Sequence, residues 1–227
     1  MYKYLLWDVD GTILDFLASE SCAIKELFKR FNLGECTDEM LGIYSKINVK
    51  YWEALARNEI TKPEVLIGRF NEFFTMMNID TGIAEEFNKA YQLALGDYCI
   101  FVKDAKEILQ SQKGKYTLVA VTNGTKVAQT KKLKMSGLDN IFDHIFISED
   151  VGYEKPNLGF FQCVFDTLNI KDKSQVLMIG DSLISDMQGG INAGVDTCWF
   201  NPNHSENKDN LKITYEISQL KQIEEIL

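Results

Sequence analysis

The second half of this chain alternates between short apolar runs rich in β-branched residues and helix-length amphipathic segments. The runs read YTLVAVT from Tyr116, HIFIS from His144, QVLMIGD from Gln175 and DTCWF from Asp196. A further run, YLLWDV from Tyr4, stands near the N-terminus. Strands that alternate with helices predict an α/β fold in which helices cover both faces of a doubly wound parallel sheet.

The segment between the first run and the others has a different character. Residues 16–95 contain no convincing strand, only apolar residues at helical spacings, as in ESCAIKELFKRF. Thr61, Pro63 and Glu64 form a helix-start signature, a capping box with proline in the first turn. We therefore predict an inserted all-helical cap domain over residues 16–95, and an α/β core made of residues 1–15 and 96–227.

Composition excludes several classes of function. The net charge is −9 and no long Lys/Arg run is present, so a nucleic-acid polymer is not an expected partner. No apolar run is long enough for a membrane span, and the N-terminus has no signal-type segment, so we expect no membrane association and a cytoplasmic location. The sequence leaves open whether the protein is a monomer or a homodimer.

Polar residues with metal and phosphate chemistry follow four of the predicted strands. They occur in DVDGT from Asp8, TNG from Thr122, EKP from Glu154 and GDSLISD from Gly180. In sheets of this kind, ligands bind beyond the carboxyl ends of the strands, which would bring four aspartates together. Two unit charges 4 Å apart repel by roughly 4 kcal/mol at an effective dielectric of 20, so such a group requires a cation. Oxygen ligands with open positions suit Mg²⁺, and Lys155, Thr122 and backbone N–H groups near Gly11 suit phosphate oxygens.

These four stretches resemble, in order and spacing, the motifs of the haloacid dehalogenase superfamily of phosphohydrolases. DVDGT matches D-x-D-G-T, TNG matches the second-strand Thr-Asn-Gly, EKP carries the motif lysine, and GDSLISD matches G-D-S-x-x-x-D. The resemblance covers the entire chain, because the long helical insert corresponds to the cap of that superfamily. It implies a Rossmann-like α/β core and hydrolysis of phosphomonoesters with Mg²⁺ as the cofactor.

The resemblance also implies a role for each motif residue. Asp8 would be the nucleophile that forms an aspartyl-phosphate, and Asp10 the general acid and base. Mg²⁺ would bind the Asp8 carboxylate, the Asp10 backbone carbonyl and Asp181, with Asp186 supporting the site from farther out. The expected phosphate-binding residues are Gly11, Thr122, Asn123 and Lys155. By contrast, Asp15 is interpreted as a helix cap or a solvated residue.

A narrower resemblance concerns the substrate. Three stretches of the chain are similar to the bacterial pyrimidine 5′-nucleotidases. They are INVKYWEALARNEITKPEVLIGRF in the cap, and GGINAG and TCWFNP in the core. This similarity implies a nucleoside monophosphate as the small-molecule substrate, with deoxypyrimidine forms preferred. Cap aromatics could stack on the base beside a few polar groups, unless they fill the cap core instead. The candidates for selectivity are Asn48, Tyr51, Trp52, Arg69, Phe70 and Phe74, with Phe73 beside them.

Other activities remain open at this stage. The same motifs would serve a phosphatase of sugar phosphates or phosphoglycolate, and a phosphomutase would keep all of these residues. A binding protein without activity is a further alternative, but it predicts decay of the catalytic positions, and none is seen. The second aspartate, Asp10, favours phosphoryl chemistry over dehalogenation, because dehalogenases of the superfamily lack it.

Overall fold

The computed structural model describes residues 1–227, and its centre is a six-stranded sheet in which every strand pair is parallel. The strand order is β3-β2-β1-β4-β5-β6. The strands are β1 Tyr4–Trp7, β2 Thr117–Thr122, β3 His144–Ile147, β4 Val176–Gly180, β5 Asp196–Phe200 and β6 Tyr215–Ile217. Because β1 lies between β2 and β4, the chain order reverses there, and the carboxyl end of β1 is the switch point at which such sheets bind ligands.

Alternate residues of the central strands build two hydrophobic layers, one on each face of the sheet. Leu5 and Trp7 belong to one layer, which also contains Leu109 from a covering helix, whereas Leu6 belongs to the other layer with Phe161. All five side chains are buried. Burial on both faces explains why the strands are continuously apolar in sequence, and it confirms the predicted doubly wound α/β fold.

Helices connect the strands and begin at recognisable caps. Asp15 accepts a hydrogen bond from the Ala18 N–H at 3.0 Å and starts the first helix, as the sequence suggested. Gly137 ends a later helix with φ 75°, a left-handed conformation that glycine adopts without strain. The helices are α1 Phe16–Arg30, α2 Asp38–Ala56, α3 Lys62–Met76, α4 Ala84–Leu95, α5 Ala105–Gln112, α6 Lys126–Ser136, α7 Ser148–Val151, α8 Leu158–Thr167 and α9 Gln188–Ala193.

The helices α1 to α4 pack around a second hydrophobic core, to which α6 contributes only Ala128. Its centre is a group of aromatic rings, in which Phe70 stands 5.1 Å from Tyr44 and 5.1 Å from Phe87 between ring centroids. The absence of strands from this segment was predicted correctly. At the start of α3, the Glu64 carboxylate accepts a hydrogen bond from the Thr61 N–H at 2.7 Å, as the capping signature indicated.

Two further features concern the sheet edge and the membrane. The strand β6 was not predicted from the sequence; it is only three residues long and lies at the edge beside β5. A strand this short carries too few alternating residues to give a clear pattern. No helix of the structure combines the length and apolar character needed to cross a bilayer.

Candidate active site

Three carboxylates and one ammonium group meet beyond the carboxyl ends of β1 and β4. The Lys155 Nζ donates to Asp8 Oδ1 at 2.8 Å, to Asp186 Oδ1 at 2.7 Å and to the Val121 carbonyl at 2.7 Å. Asp181 is close by, and the carboxylate oxygens of Asp8, Asp181 and Asp186 lie within 4.8 Å of one another. The structure therefore brings together three of the four expected aspartates and the lysine, while the Asp10 carboxylate is bound by residues of α6.

Burial and like charges raise the pKa values of two of these carboxylates, Asp8 and Asp181. Burial raises the pKa of Asp8 to about 7, with Lys155 lowering it and Asp186 and Asp10 raising it further. Asp181 is exposed at the surface, yet the surrounding protein weakens the hydration of its carboxylate and, with the charges of Asp8 and Asp186, raises its pKa. Burial alone would lower the pKa of Lys155, but its two aspartate partners outweigh burial and raise it.

Two glycines make the close approach of these carboxylates possible. A Cβ on Gly11 would lie 2.4 Å from Asp181 Oδ2, and one on Gly180 would lie 2.2 Å from Asp186 Oδ2. Gly11 also has φ 92°, where other residues are strained. Gly11 was expected to bind phosphate, but its N–H donates to the Leu14 carbonyl at 2.8 Å, and the glycine leaves room for the Asp181 carboxylate.

The loop after β2 supplies the Thr122 hydroxyl and an amide side chain that binds the backbone of Lys155. Thr122 is buried, and its Oγ1 accepts a hydrogen bond from the Gly124 N–H at 3.1 Å. The Asn123 side chain does not point toward a phosphate. Its Oδ1 accepts from the Lys155 N–H at 2.8 Å and its Nδ2 donates to the Lys155 carbonyl at 2.8 Å. The Asn123 amide therefore holds the Lys155 loop, and phosphate binding by Asn123 stays a prediction that involves its backbone N–H.

Asp10 is held by two residues that the sequence analysis missed. Gln129 Nε2 donates to Asp10 Oδ2 at 2.6 Å, and Lys132 Nζ forms an ion pair with Asp10 Oδ1. Both partners are buried and lie three residues apart on α6. No motif marks them, because a helix of mixed polar and basic residues such as KVAQTKKLKMS looks solvent-exposed in sequence.

The cap aromatics divide into core residues and one that approaches the site. Phe70 and Phe74, like Phe73, are completely buried in the cap core. Of the two alternatives that the sequence left open for them, stacking on a base or filling the cap core, the structure shows the second, because neighbouring rings pack against them. Tyr51 lies against the backbone of α3, where a Cβ on Gly68 would meet its ring at 2.6 Å.

Trp52 is the cap aromatic that adjoins the core loops. The Lys62 Nζ lies 5.9 Å from the centroid of its ring. The same ammonium donates to the Asn123 carbonyl and to Ser148 Oγ, both at 3.0 Å. Lys62 is thus a contact between the cap and the loop after β2, and it has no recognisable signature in the sequence.

Asn48 and Arg69 belong to a buried polar chain that runs through the cap. Asn48 donates to Glu20 at 2.9 Å, and its Oδ1 accepts from Arg69 at 2.7 Å and from Trp52 Nε1 at 3.1 Å. Arg69 also donates to Asn88 at 3.2 Å. The chain reaches the core through Gln92, whose Nε2 donates to Asn88 and whose Oε1 accepts from Thr125, the residue that caps α6.

The donor set at the strand ends fits a magnesium ion. Three carboxylates face one ammonium, so the group carries excess negative charge when ionised, and all the available ligands are hard oxygens. The Asp10 carbonyl accepts no hydrogen bond from the protein. Asp186 has a protein donor at each oxygen, since Lys155 binds Oδ1 and the Ser182 N–H donates to Oδ2 at 3.1 Å.

The fold and this site define a class of hydrolases, and comparison with known proteins places the chain in it. A profile of the haloacid dehalogenase-like hydrolase family matches residues 5–200, and the chain belongs to that family. The HAD-hydrolase YfnB of Bacillus subtilis is 36% identical over 226 residues, covering 100% of this chain and 95% of YfnB. A crystal structure of YfnB bound to magnesium has a TM-score of 0.93 to this chain at 35% identity, covering 100% of this chain and 98% of that one.

Two further relatives carry a named activity. The pyrimidine 5′-nucleotidase PynA of Streptococcus pneumoniae is 36% identical over 217 residues, covering 95% of this chain and 91% of PynA. The pyrimidine 5′-nucleotidase YjjG of Escherichia coli is 30% identical over 226 residues, covering 100% of this chain and 98% of YjjG. The resemblance to the superfamily seen in the four motifs is confirmed, and the chain is an enzyme of the hydrolase class.

Proposed function

We propose that this protein is a Mg²⁺-dependent phosphomonoesterase that acts through an aspartyl-phosphate and prefers pyrimidine nucleoside 5′-monophosphates. The observation that carries the proposal is the group formed by Asp8, Asp181, Asp186 and Lys155 at the switch point of the sheet. Asp10 follows Asp8 by two residues, as a nucleophile and its proton-transfer partner require. Residues 16–95 form the cap over this site in our proposal.

The reaction has two halves. With Asp10 in its protonated form, an Asp8 carboxylate oxygen attacks phosphorus, the ester P–O bond breaks, and its electron pair leaves on the alcohol oxygen, which takes the Asp10 proton. Asp10, now a carboxylate, then takes a proton from water while the water oxygen attacks phosphorus. The P–O bond to Asp8 breaks, which releases inorganic phosphate and regenerates the Asp8 carboxylate.

The residues around Asp8 bind the phosphate group and the metal ion in this proposal. Lys155, the Thr122 hydroxyl and the N–H groups of Val9, Asp10 and Asn123 are our proposed phosphate ligands, and those three N–H groups donate to no other protein atom. Asp8, Asp181 and the Asp10 carbonyl are the proposed ligands of Mg²⁺, with Asp186 acting through Lys155. When bound, the ion neutralises charge on the transferring phosphoryl group.

The preference for nucleotides is supported by the two nucleotidase relatives and by the position of Trp52. The phosphate and metal ligands would treat most monoesters alike, so selectivity has to come from the cap. Trp52 is half-buried, and Lys62 links it to the loop after β2. Its Nε1 donates a hydrogen bond to Asn48, which also accepts one from Arg69. A planar base stacks well on an indole ring held in this way.

Phosphate release over a substrate panel tests the proposal. With Mg²⁺, kcat/KM for dUMP, dTMP and UMP should exceed that for hexose phosphates and phosphoglycolate at least about tenfold. Faster hydrolysis of the other esters would refute the nucleotide preference and leave the phosphatase. A requirement for an activating bisphosphate would indicate a phosphomutase instead.

A matched pair of variants tests the role of Trp52. Trp52→Leu should raise the KM for dUMP without a comparable change for p-nitrophenyl phosphate, which has no base. Tyr51→Leu is the control, because Tyr51 is the neighbouring aromatic residue and packs on α3. Equal effects of the two variants on dUMP would contradict stacking on Trp52.

A further inference from the structure

Helix α6 carries a buried lysine whose ammonium has a single carboxylate partner. Lys132 is fully buried, and the oxygen that its Nζ binds belongs to Asp10. Its ammonium also lies 5.5 Å from the centroid of the Phe16 ring, the first residue of the cap. A buried ammonium is costly unless it is paired, so a lysine placed only for packing would be a poor choice here.

The second contact to the same carboxylate is equally specific. Gln129 is buried one helical turn before Lys132, and its Nε2 donates to the other oxygen, Asp10 Oδ2, at 2.6 Å. The backbone makes room for this amide, because a Cβ on Gly124 would lie 2.2 Å from Gln129 Nε2. The glycine in the TNG stretch is thus explained by Gln129, which has to pass over it to reach Asp10.

Together these contacts fix both oxygens of Asp10 from one rigid element. Asp10 lies just before the turn of residues 11–13, and its side chain is about one-fifth exposed, at 21%. A side chain in such a place would otherwise sample several rotamers, and a proton-transfer group loses rate when it leaves hydrogen-bond reach of its target. A buried two-point contact from a helix removes that freedom.

We propose that Lys132 and Gln129 are positioning residues that orient the Asp10 carboxyl group for proton transfer. This inference rests on the proposed function, in which Asp10 protonates the leaving alcohol and later deprotonates water. Neither residue touches the phosphoryl group. Their effect is exerted through Asp10, so it depends on how much each step needs a proton.

Comparing esters that differ in their need for a proton therefore distinguishes positioning of Asp10 from a purely structural role. In single turnovers with enzyme in excess, leaving-group release reports the attack by Asp8. An alkyl ester such as dUMP needs a proton on its leaving oxygen, whereas p-nitrophenolate departs without one. If hexose phosphates are the better substrates in the panel, glucose 6-phosphate replaces dUMP as the alkyl ester.

We expect Lys132→Met to slow release from the alkyl ester at least about 30-fold and release of p-nitrophenolate less than about threefold. The p-nitrophenyl reaction also shows that the variant is folded. Gln129→Met should show the same pattern with a smaller loss. Lys132→Arg, which keeps the charge and the donors, should recover most of the rate, and Lys134→Met, on the exposed side of α6, should match the wild type.

Equal slowing of the two esters, or no slowing of either, would overturn the inference while leaving the proposed function intact. An arginine variant as slow as the methionine variant would also count against it. If the wild-type enzyme releases no leaving group from any monoester, the proposed function fails, and the inference fails with it.

Discussion

The core site and the cap both bury ionisable groups, but they balance the charges differently. In the core, three carboxylates share one ammonium, which leaves an excess of negative charge. In the cap, Glu20 and Arg69 are joined through Asn48. Further donors to Glu20 are Ser45 at 2.5 Å and Tyr91 at 3.3 Å. The cap network is therefore balanced within the protein, whereas the core site is completed only by a cation and a ligand.

This difference separates a structural charge network from a functional one. Burial raises the pKa of Glu20 despite its many donors, so burial and a shifted pKa occur in both places. What distinguishes the core site is unbalanced charge together with unpartnered backbone groups, such as the Asp10 carbonyl. Substitutions in the core should affect chemistry more than stability, and those in the cap network should do the reverse.

The largest effect is expected at the nucleophile. Asp8→Asn should lower kcat at least about 10³-fold, because an amide does not attack phosphorus and removes a metal ligand. Asp15→Asn is the matched control, since Asp15 lies in the same N-terminal segment but only caps α1, and asparagine is also a good cap. Turnover of the Asp8 variant within tenfold of wild type, with deamidation excluded by mass spectrometry, would refute the role.

In the cap the corresponding effect is on folding. Arg69→Met should lower the free energy of unfolding by about 3–5 kcal/mol, because it leaves Glu20 as an uncompensated buried charge. Chemical denaturation measures this loss. Adding Glu20→Gln should recover part of it, since the amide carries no charge, its oxygen still accepts from Asn48 and Tyr91, and its NH₂ group donates to the Ser45 hydroxyl. If the double variant is no more stable than Arg69→Met alone, the two groups are not coupled as described.

The core site could be inferred from the sequence for a topological reason. In a parallel sheet, every strand ends at the same edge, so polar residues after Trp7, Thr122 and Gly180 have to meet there. The alternation of strands and helices fixed that topology in advance. The positions of Asp8 and Asp181 followed from it, whereas Lys155 comes after β3 and the short helix α7, and the family resemblance supported its assignment to the site.

The cap and the surroundings of Asp10 could not be inferred in the same way. Helical spacing shows that Phe70 and Phe74 lie on one face, but not whether that face meets ligand or neighbouring helices. The reach of Gln129 to Asp10 depends on how α6 packs beside the first turn, and it spans 119 positions in sequence. Such contacts between distant segments leave no local pattern.

A third test uses metal binding to examine the excess negative charge of the core site. Mg²⁺ should raise the Tm more at pH 8 than at pH 6, because the ion competes with a proton at Asp8, whose pKa is raised to about 7. Thermal melts with Mg²⁺ and with EDTA across this range measure the shift. Ca²⁺ should restore less activity than Mg²⁺ after EDTA treatment, since its coordination is looser.

The sign for the metal-free protein follows from linkage. A carboxyl group whose pKa is raised on folding holds its proton more tightly in the folded state, so stability falls as pH rises from about 4 toward the folded pKa. Asp8 and Asp181 both act in this direction. Asp181→Asn should flatten this slope and remove most of the Mg²⁺ shift. A shift that is equal at both pH values would show that protons and metal do not compete at Asp8.

The smallest effect is expected at Lys62, where the two regions meet. Its ammonium bonds to the Asn123 carbonyl and Ser148 Oγ and lies 3.4 Å from Glu149, so it holds the cap against the loops that border the site. Lys62→Met should raise KM for the best substrate about tenfold, corresponding to about 1.4 kcal/mol, with little change in kcat. Lys46→Met, an exposed lysine of the cap, is the control. A change in kcat without a change in KM would contradict this role, because it would show that Lys62 affects the chemical step rather than the contact between the cap and the core.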